Sequence, residues 1–278
     1  MLHISQLVAP TRAGRRADEI LVLLSLSVSS IALFAVAPAL AQGYPCPTPV
    51  ADGTETCTIP AGEGYSYALI DDSISAPTNY TVINNATMAP AVSPGQNRVL
   101  EFYIAGDAGD EDSPAGVKGS VVTLTNNADL TFAGPDGTTP DTGLIIAVDA
   151  SGQGGDGAEP KKSGNNGGRG GDGGTVSVTN NGTITIDGAA SDGSQAEVIG
   201  IRVFSSGGNG GTANTDAGNQ PGGNGGDGKY ASINNNGDIR IGSTDDPFEG
   251  YTGARGFEAW GSGGAGGANS GEGGTGPI

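Results

Sequence analysis

Three stretches of the chain repeat one alternation of apolar and polar positions. They begin at residues 120, 173 and 230 and read SVVTLTNNADLTFAG, GGTVSVTNNGTITIDG and YASINNNGDIRIGS. Apolar side chains alternate with Thr, Ser or Asp, which is the period of a β-strand with one buried face. The alternation breaks at Asn-Asn-Gly or a variant of it, where the backbone can turn because Asn and Gly tolerate positive φ. Each stretch therefore predicts two short strands joined by a turn.

The copies align at offsets of 54 and 55 residues, and their apolar positions fall in register. A weaker copy begins at Tyr80, at an offset of 42, and its second strand is degenerate because its last inward position is Pro90. The corresponding apolar positions are Val122, Val176 and Ala231; Leu124, Val178 and Ile233; Leu130, Ile184 and Ile239; and Phe132, Ile186 and Ile241. The turn asparagines Asn126, Asn180 and Asn235 also correspond, and stacked copies would place them in a side-chain ladder.

A third, more apolar strand follows in each copy, starting at Val99, Leu144, Val198 and Arg255. The last three of these strands lead into glycine tracts at 151–174, 205–228 and 261–276. A single Asn-Asn-Gly could equally be a hairpin turn. Spaced copies favour stacking instead, because an isolated hairpin is barely stable in water and stacked turns bury a continuous core. The pattern predicts an all-β fold, a right-handed parallel β-helix (β-solenoid), from which the long glycine tracts leave as mobile, loosely ordered excursions.

The N-terminus is typical of a secretory signal peptide. Arg12, Arg15 and Arg16 precede an apolar run at 20–37, and Ala39-Leu40-Ala41 offers a cleavage site. An uncleaved membrane anchor is the alternative. We predict a signal peptide at 1–41, a cysteine-containing cap at 42–62 and solenoid repeats at 63–278 that continue beyond this chain.

Composition and charge narrow the function classes. Removal of 1–41 would remove the chain's one histidine, His3. The processed chain would then have no His-based catalytic triad and no zinc site with a His ligand. It would also remove three Arg and two acidic residues, leaving nine basic and 28 acidic side chains and a net charge of −19. Such a surface repels nucleic acid, so no nucleic-acid partner is expected. With 52 glycines and 5% aromatic residues, the chain has few large side chains for a thick core.

The two cysteines, Cys46 and Cys57, are predicted to form a disulfide, because exported proteins occupy oxidising compartments. The glycine tracts spell Gly-x-Gly-Gly-Asp-Gly three times, close to the calcium-binding repeat of β-rolls. Asp156, Asp172 and Asp227 are the candidate calcium ligands, although the apolar position of that repeat is Gly174 or Lys229 here. We predict a solvated loop, no cofactor and no metal site, with a calcium-binding β-roll as the alternative.

A polysaccharide-active β-helix enzyme is a second alternative, since such enzymes cluster carboxylates on one face. The acidic pairs Asp71-Asp72 and Asp245-Asp246 have turn-like surroundings and do not recur at matching repeat positions. The sequence therefore predicts no catalytic residues.

The units GGTVSVTNNGTITIDG…VIGIRVFSSGGNGG and INNNGDIRIGS…ARGFEAWGSGGAGG resemble the glycine-rich repeats of bacterial autotransporter passengers over about 80–276. The resemblance implies export across the inner membrane and a β-helical passenger at the cell surface, on the outer membrane or outside the cell. It also implies an adhesin-like role toward host or neighbouring cell-surface molecules, with no residue identifying a receptor. The family's C-terminal outer-membrane translocator barrel is expected as a partner but is absent from this chain, which has no series of roughly ten-residue amphipathic strands.

Overall fold

The computed structural model describes residues 43–62, 65–89, 98–133, 144–162, 165–187, 196–214, 220–242 and 251–268. These residues belong to one compact unit, Ala39–Ile278. The predicted signal peptide lies outside the described residues. No helix long and apolar enough to cross a membrane occurs in the described ranges.

Thirteen β-strands form in the described residues, and the pattern of burial along them has the predicted period of two. Every pairing between strands is parallel. The strands are β1 Thr54–Ile59, β2 Ala68–Ile74, β3 Asn79–Asn84, β4 Arg98–Gly106, β5 Val121–Asn126, β6 Leu130–Ala133, β7 Leu144–Gln153, β8 Val176–Asn180, β9 Ile184–Asp187, β10 Ala196–Ser206, β11 Ala231–Asn235, β12 Ile239–Ile241 and β13 Tyr251–Ser262.

Three parallel sheets stack the strands in chain order. Sheet A has the order β1-β3-β5-β8-β11, sheet B has β2-β4-β7-β10-β13, and sheet C has β6-β9-β12. One turn of chain, or rung, supplies one strand each to sheets A and B, and rungs 3 to 5 also supply one to sheet C. The strands β1 and β2 form rung 1, β3 and β4 rung 2, β5 to β7 rung 3, β8 to β10 rung 4, and β11 to β13 rung 5. This is a parallel β-helix, as the repeats predicted.

The register agrees with the sequence alignment at every corresponding position. Val122 pairs with Val176 and Val176 with Ala231, and the other three apolar sets pair in the same way. The weak copy joins through Tyr80, opposite Val122. Of its degenerate second strand, the described residues form one bridge, between Met88 and Leu130.

The core is a narrow column between the sheets. Its members are the inward-facing Val, Ile and Leu side chains of rungs 1 to 4, with Tyr80 and Phe102 as the bulkiest pair, their ring centroids 6.4 Å apart. In rung 5 the corresponding Ile233, Ile239 and Ile241 are only half buried, because within the described residues no rung stacks on it.

The prediction that the glycine tracts are loosely ordered is wrong for their described residues. In the described residues, four outbound arms leave sheet B, the first of them ahead of the three tracts, and three return arms lead to the next strand of sheet A. The outbound arms are 107–109, 154–158, 207–213 and 263–268, and the return arms are 114–119, 167–174 and 221–228. Arms of successive rungs lie side by side and share backbone hydrogen bonds, so they form a second ordered layer beside the β-helix, which we call the glycine bundle.

Hydrogen bonding in this glycine bundle has a period of three. In rung 3, the N–H groups of Gly154 and Gly157 donate to the carbonyls of Ser206 and Asn209 in rung 4 (2.8 and 2.7 Å). Gly155 and Ala158 donate instead to the return arm of rung 2 (2.8 and 2.7 Å). No residue of these arms has positive φ. Three residues per turn, with the bonds made to neighbouring arms, are features of polyproline II helices packed in parallel with one another.

Close packing of backbones explains why the arms are glycine. A Cβ on Gly155 would lie 1.9 Å from the carbonyl oxygen of Asp107, and one on Gly171 would lie 2.0 Å from that of Val117. Every third residue, such as Asp156, points outward and can carry a side chain. The sequence signal for this bundle is the Gly-Gly-x spacing. A single tract does not indicate that it is ordered, because the hydrogen-bond partners of each arm lie in other rungs.

Candidate functional site

The turn asparagines form a buried ladder along the β-helix. The Nδ2 group of Asn126 donates to Oδ1 of Asn180, and that of Asn180 donates to Oδ1 of Asn235, both at 2.7 Å. Each Nδ2 also donates to the carbonyl two residues ahead, as Asn180 does to Gly182 at 2.8 Å. The ladder is structural, because its amides are satisfied by one another and by the turns they hold.

The first member of this ladder and a second ladder beside it were not predicted. Asn84 of the degenerate copy begins it and donates to Asn126 at 2.7 Å. A second, exposed ladder runs beside it from Asn236 through Asn181 and Asn127 to Asn85, with spacings of 2.8 to 3.0 Å. The Asn-Asn dipeptide in each copy was the available signal for the second ladder.

Cys46 and Cys57 form a disulfide at the first rung. The same segment is held by the hydroxyl of Tyr44, which donates to the carbonyl of Thr58 at 2.9 Å, and by the hydroxyl of Tyr80, which donates to Pro47 at 2.6 Å. Cys57 is fully buried although it lies on the end strand of sheet A. The segment before β1 therefore packs against the rung.

The three candidate calcium ligands lie in the glycine bundle, where their carboxylates have other partners. Oδ1 of Asp156 accepts the N–H of Asn209 at 2.7 Å, and Oδ1 of Asp172 accepts that of Asp227 at 3.1 Å. Asp172 also binds Arg169 and Lys229, with N–O distances of 2.5 and 3.3 Å. No group of three or more His, Cys, Asp or Glu side chains placed to hold a metal ion occurs in the described part of the chain. These aspartates therefore link successive arms and are not brought together as a ligand set.

Asp71 and Asp72 are not in a turn, contrary to the prediction, but lie within β2 of sheet B. Parallel pairing continues sheet B for three further strands beyond β4, so Asp71 lies at the end of a row of outward-facing side chains. Asp245 and Asp246 lie outside the described residues.

An outward-facing row on sheet B brings aromatic side chains together. Parallel register places Tyr103 of β4 opposite Ser151 of β7, Ser151 opposite Phe204 of β10, and Phe204 opposite Trp260 of β13. The rings of Phe204 and Trp260 stack, with centroids 5.2 Å apart and planes 11° apart. The rings of Tyr103 and Phe204 approach to 6.3 Å across the small side chain of Ser151. Tyr103 is anchored by its hydroxyl, which donates to Gln153 Oε1.

The next row along the same strands is charged. Asp149, on β7, is 5% exposed and accepts hydrogen bonds from Nε of Arg98 (2.8 Å) and from Nε (3.0 Å) and Nη2 of Arg202. Glu101 contacts Arg98 at 3.1 Å. Two guanidinium groups compensate the cost of burying the carboxylate of Asp149. The Arg202 guanidinium also lies 5.6 Å from the centre of the Phe204 ring, within cation–π range.

A cavity of about 150 Å³ opens between the two rows. It is lined by Arg98, Glu101, Phe102, Tyr103, Asp149, Ser151, Arg202 and Phe204. Ser151 is 1% exposed, and its Oγ is the one buried side-chain polar atom of the described residues without a hydrogen-bond partner. We call this cavity the sheet B pocket.

Burial raises the pKa of both the Glu101 carboxyl and the Tyr103 hydroxyl above their ordinary values. For Glu101 the positive charge of Arg98 opposes the shift, and for Tyr103 the negative charge of Asp71 adds to it. The pocket therefore offers carboxylate acceptors, guanidinium donors and a hydroxyl between two aromatic rings, which is a set of groups suited to binding.

This pocket was not predicted, because its residues come from three rungs in which equivalent positions are 48 and 53 residues apart in the chain, and none was part of a functional motif. The sequence signal that could have identified the pocket is the alignment of the third strands of the copies. Once the third strands are aligned, Tyr103, Phe204 and Trp260 occupy the same position.

Comparison of the chain with protein-family models, curated proteins and solved structures finds no match. The architecture is therefore established by the stacked parallel sheets and asparagine ladders themselves, which make the chain a parallel β-helix.

Proposed function

We propose that this chain is an exported, non-enzymatic β-helical protein with an adhesin-like role, the passenger part of an autotransporter. The observation that carries the proposal is the sheet B pocket with its row of Tyr103, Phe204 and Trp260. Large apolar side chains on an outer strand face, beside charged groups, are typical of surfaces that contact other molecules.

The stacked architecture suits presentation of such a surface. Each rung adds about 4.8 Å to a sheet, so five rungs hold a row about 19 Å long on backbone hydrogen bonds. The glycine bundle braces the same rungs on a second side with a further hydrogen-bond network. A recognition row on this scaffold is held in place without a large hydrophobic core.

Export and display are supported by the N-terminal basic and apolar segments, the cleavage site before Gln42 and the disulfide between Cys46 and Cys57. The acidic surface disfavours nucleic acid and keeps an exported protein soluble. The proposed partners are molecules on host or neighbouring cells and, for display, an outer-membrane translocator barrel.

The test has two parts. The full chain is expressed in a Gram-negative host, its location is followed by fractionation, and the N-terminus of the product is sequenced. We expect processing before Gln42 and recovery from an exported fraction. Product that keeps residues 1–41 and stays in the cytoplasm would contradict export.

The processed protein is then coated on beads, and bead retention on epithelial and bacterial cell layers is measured. We expect retention that falls when Tyr103, Phe204 and Trp260 are all replaced by Ala. The matched control is Tyr230→Ala, because Tyr230 is also an exposed aromatic residue, at 81%, but lies outside the row. Retention no higher than that of uncoated beads would contradict the adhesin-like role.

A further inference from the structure

We infer that rung 5 is a docking surface for a β-helix rung of the same repeat type, supplied by a partner polypeptide. Its open face consists of the outer edges of β11, β12 and β13 together with the side chains of Ile233, Ile239, Ile241 and Phe257. This face uses strand edges and inward-facing side chains, not the outward-facing row of sheet B. The inference therefore goes beyond the proposed adhesin-like role and does not depend on it.

The apolar side chains of the open face are exposed where other rungs bury theirs. Phe257 is 50% exposed, whereas Ile201, which pairs with it in rung 4, is fully buried. Ile233 is half buried, and its partner Val178 is buried. Rung 5 leaves a depression of about 480 Å³, which is lined by Ile233, Asn235, Phe257 and Ala259. Exposed apolar surface of this kind is typical of an interaction site.

The strand edges present unpaired backbone groups in the direction of a further rung. The N–H of Val176 donates to the carbonyl of Tyr230 in the next rung at 2.9 Å, as the N–H of Val122 does one rung earlier. Ala231 continues this series, and no described residue accepts its N–H. Ile239 ends the corresponding series in sheet C in the same way. Such edges accept an added strand through main-chain hydrogen bonds.

The two asparagine ladders end in complementary groups. In the buried ladder each Nδ2 donates to the following rung, so Asn235 ends it with a donor, since one of its two Nδ2 hydrogens is bonded to Gly237. In the exposed ladder each Nδ2 donates to the preceding rung, so Asn236 ends it with Oδ1, to which no described residue donates. An incoming Asn-Asn pair supplies an Oδ1 to the first and an Nδ2 to the second. The ladder ends therefore select a rung with Asn-Asn at its turn.

A second copy of this chain does not match the face. Its rung 1 is covered by the segment before β1, where Cys57 is fully buried. Its rungs 2 to 4 are stacked on one another, and its rung 5 ends in the same donor and the same acceptor. The occupant is therefore a different polypeptide that carries the repeat. The four rung-to-rung interfaces already present show how it would be seated.

The probe is a fluorescein-labelled peptide with the sequence of residues 175–187, TVSVTNNGTITID, which spans both strands and the turn of rung 4. It is titrated into the processed full chain, and binding is followed by fluorescence anisotropy and by residue-resolved amide hydrogen exchange. We expect saturable one-to-one binding. The bound peptide should slow exchange at the amides of Ala231 and Ile239 about tenfold or more, because their N–H groups gain acceptors.

Changes in the peptide test the ladder without affecting the fold of the protein. Asn181→Asp in the peptide removes the donor to Asn236 and should weaken binding about tenfold. Thr179→Asp in the peptide is the matched control, because it adds the same charge at an outward-facing position, and it should change the affinity less than about twofold.

A change in the protein completes the cycle. Asn236→Ala removes the acceptor, so this variant should bind the unchanged peptide and the Asn181→Asp peptide with equal affinity. Asn234→Ala, at an exposed position outside both ladders, should discriminate between the two peptides as the wild-type protein does.

Four results would overturn the inference. Slow exchange of Ala231 and Ile239 in the free chain would show that the open face is already covered. Absence of saturable peptide binding would show that the face accepts no added rung, and equal binding of the unchanged and Asn181→Asp peptides to the wild-type protein would show that the ladders select nothing. A chain that sediments as a dimer and becomes monomeric on Ile239→Lys would assign the face to a second copy.

Discussion

At the scale of single residues, the fold depends on polar side chains that are buried together with the apolar core. Asn84, Asn126 and Asn180 are fully buried, and each joins two rungs as well as closing its own turn. A buried amide that loses its partners leaves donors and acceptors unsatisfied, so these asparagines cannot be exchanged for apolar residues of similar size without cost.

Asn180→Ala should lower the free energy of unfolding by about 2–3 kcal/mol, because it leaves the carbonyl of Gly182 and Oδ1 of Asn235 without their donor and Nδ2 of Asn126 without one of its acceptors. Asn181→Ala, in the exposed ladder, should cost about 0.5 kcal/mol. Urea unfolding of both variants provides the comparison. Equal losses would show that the buried ladder has no special role.

Asp172 should make the glycine bundle sensitive to acid. The N–H of Asp227, followed by the side chains of Lys229 and Arg169, stabilises its carboxylate and lowers its pKa below the ordinary 3.8. Its stabilising contribution is complete well above pH 3.8, declines as the pH falls below that value, and is lost once the pH passes the native pKa.

Asp172→Asn should therefore be less stable than the wild-type protein at pH 7, and the difference should shrink as the pH falls below 3.8. Urea unfolding between pH 7 and about pH 2.5 measures it. A difference that does not change with pH would mean that the charge of Asp172 contributes nothing.

At the scale of elements, the arms of the glycine bundle depend on backbone contact as the strands depend on side-chain packing. Gly171→Ala would bring a Cβ to 2.0 Å from the carbonyl of Val117, so the arm must move and its hydrogen bonds must lengthen. We expect a loss of about 3 kcal/mol or more, the upper range for overpacking, because the obstacle is backbone. Gly256→Ala is the matched control, since a Cβ there meets nothing within 4 Å. Similar melting temperatures for the two variants would contradict close packing of the arms.

The disulfide should stabilise the first rung mainly by closing a short loop. Its cysteines are 11 residues apart, for which chain entropy predicts about 3 kcal/mol. Denaturant unfolding of the oxidised and the fully reduced protein measures this contribution. Identical midpoints would show that the segment before β1 is held by the hydroxyls of Tyr44 and Tyr80 alone.

The elements differ in how far the sequence could predict them. The strands of sheet C and all strands of sheet A except β1 were predicted with their register, because residues such as Val176, Val178 and Ile184 show both the period of a strand and the offset of a repeat. The glycine bundle was not, because a glycine tract has no apolar side chains to indicate burial. Its order arises from hydrogen bonds such as Gly208 to Gly171, which join residues of different rungs.

At the scale of the whole molecule, the parallel register produces both the scaffold and the site. Each strand position forms a row along the β-helix, so a residue substituted in one rung lies next to the residues at the equivalent position in the neighbouring rungs. The row that contains Ser151 combines side chains from five rungs, and no single repeat contains a recognisable site. This explains why repeat alignment predicted the core but not the pocket.

Amide hydrogen exchange resolved by residue tests the central claim most directly, since it asks whether the glycine arms and the strands form one ordered structure. We predict strong protection at Val176 and Ile184 in the strands and comparable protection at Gly155, Gly171, Gly208 and Gly226, whose N–H groups are bonded within the bundle at 2.8 to 2.9 Å. Exchange of these glycine amides at the rate of an unstructured chain, with the strands protected, would contradict the glycine bundle. Free exchange at Val176 and Ile184 as well would contradict the β-helix itself.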